Sequence, residues 1–355
     1  MTKDKPFKTI KQQIEYLKND TKLVITNEKL VAKLLKKCNY FNLINIYGKI
    51  FQRSGLRQFK DGTTFEMIYN YYQFDLAIKN LFLFYLQKIE RHIKTLVAYY
   101  FAKEYGSKQE EYLDINNYNR AVDDGFEDFL NKVISYFETA LKDDELVQYK
   151  NEYGNVPIWV IINKLSFGQL TDLASCLKPE LKKVICAELM TIQASELVPI
   201  LKVLAECRNI CAHDYALIFF KSEYLSIGNN RDRLNRLLDN NISIRTKSDL
   251  LWVILIFKYL LDKIEYNDFY YQLKGFLDEL KIKIKSEEHA KLAIEYFQIV
   301  NNISAYQPQE LDCYAGIKID TEKGSEKILS KVQRKYNEKL QKRHKDSGLR
   351  RHRRK

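Results

Sequence analysis

The chain has 355 residues, 46% of them hydrophobic and 29% charged, with 12 glycines and 5 prolines. That length buries a core without disulfide or metal staples, and so few breakers point to long helices with short connections. The formal net charge is +12, but residues 331–355 hold 12 Lys or Arg against Glu338 and Asp346, which is +10 for the tail and +2 for everything before it. A basic arm on a near-neutral body attracts phosphate backbones or acidic surfaces without reading sequence. Abundant Lys, Asn, Ile and Tyr read as the coding bias of an AT-rich, bacterial genome. The six cysteines form no CxxC pair, and the start, MTKDKPFKTIKQQ, has no apolar signal region. The longest apolar run, Leu250–Leu261, is too short to span a bilayer and contains Lys258. A reduced, soluble, cytoplasmic protein with no membrane contact is expected.

The elements follow in chain order. Ile10, Ile14 and Leu17 predict a short helix over Thr9–Asn19, and Asn27 caps a second over Glu28–Lys37. The segment Asn39–Gln52 is aromatic and apolar, and Ser54–Phe65, with two glycines, is a loop. A long helix starts near Phe65. Its stripe runs through Phe74, Ile78, Leu81, Tyr85, Ile89, Ile93, Leu96 and Tyr100, with Lys79, Lys88, Arg91, His92 and Lys94 on the polar face. Lys103–Asp128 reads as loop-rich, and Phe129–Leu141 as helix. Val156–Leu173 reads as two helices around Ser166-Phe167-Gly168.

A further helix begins near Ser195, with Pro199 in its first turn, where a missing N–H costs little. Helices then cover Leu250–Glu265, Asp268–Lys281, Glu287–Val300 and a polar stretch from Thr321 to Arg343; the last residues are expected to be disordered. No strand alternation or internal repeat is convincing, so the fold class is all-α. The expected divisions are a helical domain over 1–245, C-terminal helices over 246–325 and a basic tail over 326–355. Trp159 and Trp252 are expected in the core, and His289, His344 and His352 at the surface or in the tail.

The stretch ECRNICAHDYAL, Glu206–Leu217, stands out. On a helical wheel Arg208 lies within about 40° of Leu204 and Leu197, on the apolar stripe. An unpaired arginine there is expensive, so it needs a buried carboxylate, a polar cavity or a second subunit. Five residues on, His213 points about 140° away in a regular helix, and Asn209 lies about 40° from it. A single regular helix does not bring Arg208 and His213 onto one site. Cys207, Cys211 and His213 do not converge as a zinc set, and no phosphate-loop, dinucleotide or HExxH motif is present, so no metal or cofactor is expected.

RNICAHDY resembles the R-x4-6-H motif of HEPN ribonucleases, and the form R-x4-H-x-Y found in HEPN toxins, with Tyr215 two residues after the histidine. The blocks IKQQIEYLKND, NYFNLINIYGKIF, FDLAIKNLFLFYLQKIERHIKTLVAYY, VPIWVIINKLSFGQL and RNICAHD occur in the order of the Abi-like abortive-infection proteins of the AbiD/AbiF group. The similarity covers roughly Phe7 to Leu280. Departures are Asp214, where that family often has a second histidine, Lys94 at the usual arginine, and NYFNLINIY, which lacks the family's Arg and Gly.

The resemblance implies a HEPN-type helical bundle and metal-independent RNA cleavage in abortive infection. It implies Arg208, His213 and Asn209 as catalytic residues, paired across a homodimer, with Glu90, Asp214 and Tyr215 in support. Tyr215 either packs against its neighbours or, as in the toxin branch, is a modification target. A non-coding RNA partner is also implied. Histidine titrates near neutrality and can act as base or acid, arginine forks onto phosphate oxygens, and the 2′-hydroxyl that attacks is absent from DNA. In the tail, Lys342, Arg343, Arg350, Arg351, Arg353 and Arg354 are candidates for phosphate contacts. The rival readings are a non-catalytic RNA-binding protein on the same scaffold and a toxin restrained by a partner.

Overall fold

A computed structural model of the chain describes residues 6–119, 124–189, 192–226 and 249–295. Among these residues the regular elements are helical, and the β-type pairings are isolated bridges, Val24 with Thr64 and Gln52 with Phe59. The fold is all-α. The expected boundary at 245/246, the polar helix from Thr321 and the basic tail with its six phosphate-contact candidates lie outside the described residues.

Local chemistry sets the helix starts. Helix α1 (Ile10–Asn19) opens with a capping box between Thr9 and Gln12. In α2 (Glu28–Cys38) the Asn27 side chain accepts from the Leu30 N–H. The segment between them and the long helix is no plain loop: Phe41–Ile46 winds as a π-helix and Tyr47–Phe51 as a 3-10 turn. Thr64 then caps α3 (Phe65–Tyr105), 41 residues long. At 1.5 Å per residue this is a rod of about 60 Å.

Short helices α4 (Gln109–Leu113), α5 (Asp124–Ala140), α6 (Asp144–Tyr153) and α7 (Ile158–Ile161) follow. Helix α8 (Phe167–Cys176) starts with a capping box between Ser166 and Gln169, at the break foreseen in the sequence. Pro179 at the first position starts α9 (Pro179–Glu188). Helices α6 and α9 were not expected, and α5 starts several residues before Phe129.

Next comes α10 (Ala194–Ala212). It starts one residue before Ser195, and Pro199 lies inside it rather than in the first turn. The apolar run forms α11 (Leu250–Leu260), which ends before Asp262. The Asp262 carboxylate accepts from the Glu265 N–H and starts α12 (Lys263–Ile284), so the break expected after Glu265 falls at Leu261 and Asp262 instead. Helix α13 (Glu287–Ile294) closes the described chain.

The long helix is the axis of the packing. Helices α12 and α10 lie along α3, and α10 also meets α8, α9 and α11. Phe82 of α3, Phe257 of α11 and Phe269 of α12 pack with ring centroids 5.0–5.4 Å apart. Ion pairing and hydrogen bonding fix the α3–α12 register, Lys88 to Glu265 at 2.6 Å and Tyr85 to Asp268 at 2.6 Å.

Several expectations are corrected by burial. Lys79 and Lys94, read as polar-face residues, are 7% and 8% exposed because their ammoniums donate to backbone carbonyls of other segments. Trp252 is buried, but Trp159 is 52% exposed, on a four-residue helix with only one covered side. His289 is buried, held by Thr63 Oγ1 at Nε2 and Ser286 Oγ at Nδ1.

Candidate functional site

Helix α10 buries Leu197, Leu201, Leu204, Cys207 and Cys211, its apolar stripe, and also Glu196, Pro199, Ile200, Val203 and Ala205, so its first turns are covered well beyond one face. Burial and the neighbouring Cys211 push the Cys207 thiol well up, which keeps it a protonated core side chain. The helix stops at Ala212. His213 leaves it in extended backbone (φ −118°, ψ 176°), while its N–H still donates to the Asn209 carbonyl at 3.1 Å. His213 is thus the last residue on the helix path, and the chain leaves the helix after it.

Among the described residues the side chains at this end make one long hydrogen bond between neighbours and no ion pair. Arg208 is half-buried, its Nη1 donating to Asn209 Oδ1 at 3.4 Å. Among the described residues no carboxylate pairs with it, so the buried ion pair that an arginine on an apolar stripe calls for is not made there. Asn209, His213 and Asp214 are exposed, and Tyr215 is 65% exposed, so its ring does not pack against its neighbours.

What holds this turn comes from α3. Lys79 Nζ donates to the carbonyls of His213, at 2.5 Å, and Tyr215, at 3.0 Å. One ammonium thus satisfies two carbonyls at the negative end of α10. One helical turn earlier, Asp75 is fully buried. Its Oδ1 accepts from the Ile218 N–H at 2.9 Å and its Oδ2 from the Tyr47 hydroxyl at 2.7 Å. Burial pushes the Asp75 carboxyl up, against the pull of Tyr47, Ile218 and Lys79. From the sequence Lys79 is placed on the polar face and Asp75 is not singled out. They are charged residues at i and i+4 beside Phe74 and Ile78, the same signal that drew attention to Arg208.

Two further carboxylates tie the next segment. Glu206 accepts from the Ser222 hydroxyl and, at 3.1 Å, from the Tyr224 N–H; burial pushes its carboxyl up. Asp249, fully buried, accepts from the Ser222 N–H at 3.1 Å. Glu90 does not join the site: it pairs with Lys94 at 2.8 Å, and Lys94 donates to the Leu165 carbonyl just before α8. Asp214 lies near enough to Tyr72 to raise its hydroxyl pKa, along with burial and Cys38, which are larger causes. Among the described residues no group of three or more His, Cys, Asp or Glu side chains could hold a metal ion, and no helix is long and apolar enough to cross a membrane.

No curated protein and no solved structure matches the chain. Residues 33–218, more than half of its length, match the family model described as Abi-like protein. The matched span runs from within α2 to Ile218, the last residue held by Asp75. The chain belongs to the Abi-like protein family.

Proposed function

We propose that the chain is a metal-independent endoribonuclease of the HEPN type, acting in abortive infection. In this reading Arg208, Asn209 and His213 of two copies face one cleft across a homodimer. Membership of the Abi-like family supports the defence role. The observation that carries the chemistry is Arg208, with no carboxylate partner among the described residues, beside an exposed asparagine and histidine on a clamped helix end.

In the first step the RNA 2′-hydroxyl attacks the adjacent phosphorus and the 5′-oxygen leaves. One His213 takes the 2′-hydroxyl proton and the other protonates the leaving oxygen. The products are a 2′,3′-cyclic phosphate and a 5′-hydroxyl. Arg208 lays its fork on the phosphate oxygens as charge develops, and Asn209 orients Arg208 or donates to phosphate. Lys342, Arg343, Arg350, Arg351, Arg353 and Arg354 hold the RNA by its backbone. DNA, without the 2′-hydroxyl, is not cut.

The test is cleavage of RNA by purified protein in EDTA, with wild type beside Arg208→Ala and His213→Ala and mass measured by light scattering. Cleavage by a dimer, lost in both variants, is the expected result. A dimer that binds RNA without cutting it points to the binding-only reading, and a monomer overturns the shared cleft.

A further inference from the structure

The positive charge of the body is not spread evenly. Residues 1–40 hold ten Lys against Asp4, Glu15, Asp20 and Glu28, a net +6, so residues 41–330 carry −4. Much of this charge is on one helix. Lys29, Lys33, Lys36 and Lys37 of α2 are all exposed, and at 100° per residue they fall within a 100° arc. Among the described residues none of the four has a carboxylate partner; Glu28, the acid nearest them in the chain, is taken by Lys18 at 2.7 Å. The opposite face, Val31, Leu34, Leu35 and Cys38, is buried, so the lysines are held outward. Lys29 and Lys36 also rim a groove of about 540 Å³ between α1 and α2, with Lys11 and Lys18 on its other side and Ile14 and Ala32 in its lining.

The helix leads to the candidate site. Past its end, Tyr47 packs edge-on against Tyr72 with ring centroids 5.3 Å apart and donates to Asp75, which holds Ile218 of the turn after His213. Exposed Arg57 lies near enough to act on Tyr40, just beyond the same helix end. Self-repulsion among unpaired lysines at this density is relieved by a polyanion. Within the arc every residue is a lysine, and the exposed apolar side chains near it, Leu30 at its edge and Phe41 beyond the helix end, are too few to form a crest of the kind that inserts into lipid.

We propose that the lysine face of α2 is a phosphate-backbone track that guides single-stranded RNA toward Arg208 and His213. The contacts are to phosphate, so the track is indifferent to base sequence. The direction toward the site rests on the reading of residues 208–213 as the place of cleavage; the binding itself does not.

The experiment measures fluorescence anisotropy of a labelled single-stranded oligodeoxynucleotide, which has no 2′-hydroxyl and stays intact, and of its RNA counterpart, across a salt series. Full-length wild type is compared with Lys29→Gln/Lys33→Gln/Lys36→Gln/Lys37→Gln and with a control of equal charge change on α12 and just past it, Lys274→Gln/Lys281→Gln/Lys283→Gln/Lys285→Gln. The tail is common to all three, so differences report the helices. Each lost phosphate contact lowers the slope of log affinity against log salt by about 0.7, or about 3 for four lysines. The expected result is that drop for the α2 variant alone, on both probes, with unchanged circular dichroism. An unchanged slope, or equal drops in both variants, overturns the track. So does loss of binding to phosphatidylserine vesicles with nucleic-acid binding intact. If wild type leaves RNA uncut, the cleavage reading fails while the slopes still decide the track.

Discussion

Replacing Lys79 with methionine isolates what the clamp contributes. Methionine keeps the length and apolar stem of lysine and removes the ammonium. Two carbonyls, those of His213 and Tyr215, then lose their donor at a site that is 7% exposed in lysine. A buried acceptor left unmade costs about 1–3 kcal/mol, and the loss is offset in part because an ammonium no longer has to be desolvated. Asp75 also loses the nearby cation that favours its charged form. The expected destabilisation is about 3 kcal/mol, a shift of the urea midpoint of up to about 1 M at a slope of about 3 kcal/mol/M or steeper for a chain of this length. The effect should centre on the turn, so hydrogen exchange at the Ile218 amide, which donates to Asp75, should speed up before that of Phe82 or Ile89 in mid-helix α3. Cleavage should fall with it, since His213 is no longer held. A variant within about 0.5 kcal/mol of wild type, with Ile218 still protected, would refute the clamp.

Other expectations are cheaper to check. Glu206 has its carboxyl raised by burial, so the folded chain holds that proton more firmly than the unfolded chain, and rising pH withdraws the stability this gives. Glu206→Gln cannot ionise; its one amide oxygen accepts from the Tyr224 N–H and its NH2 donates to the Ser222 oxygen, so the two contacts are kept with one reversed. Its stability relative to wild type should therefore improve as pH rises through the raised value and then level off, and a pH-independent difference in urea midpoints contradicts this. For His289, the Thr63 hydroxyl already donates to the Lys60 carbonyl at 2.7 Å, so Thr63 must accept from Nε2–H, and Nδ1 accepts from Ser286. Nitrogen-15 shifts should report the Nε2–H tautomer, and the Nδ1–H form contradicts the assignment. Tyr215→Phe should change stability by less than about 0.5 kcal/mol, because Lys79 holds its backbone and its ring is solvent-facing; a larger loss on denaturation means that the hydroxyl has a partner.

Much of this fold is legible in the chain because helices are local. Thr9, Asn27, Thr64 and Ser166 announce their helix starts, and the stripe from Phe74 to Ile93 announces α3. What is not legible depends on residues far away. Lys79 and Lys94 look like surface lysines until the carbonyls of residues 213 and 165 are brought to them. His289 looks like a surface histidine until Thr63, 226 residues earlier, meets it. Asp262 was readable as a cap but lay inside a long apolar pattern that masked it. At the candidate site, the polar residues in a core-like stretch draw attention to Arg208, Asn209 and His213, and the resemblance to HEPN ribonucleases is what implies their roles. The end of α10 at His213 and the two buried charges that grip the turn beyond it come only from tertiary structure.

The clamp joins parts of the chain that are made at different times. Lys79 and His213 are 134 residues apart, and Thr63 and His289 are 226 apart. At about 5–20 residues per second, the ribosome separates the appearance of the first pair by roughly 7–27 s and the second by roughly 11–45 s. A nascent or prematurely ended chain therefore has Lys79 without its two carbonyls and Asp75 with Tyr47 but not Ile218 until the segment after α10 has emerged. On the proposed reading, a chain that ends before α10 lacks both the residues proposed to cut RNA and the turn that holds them.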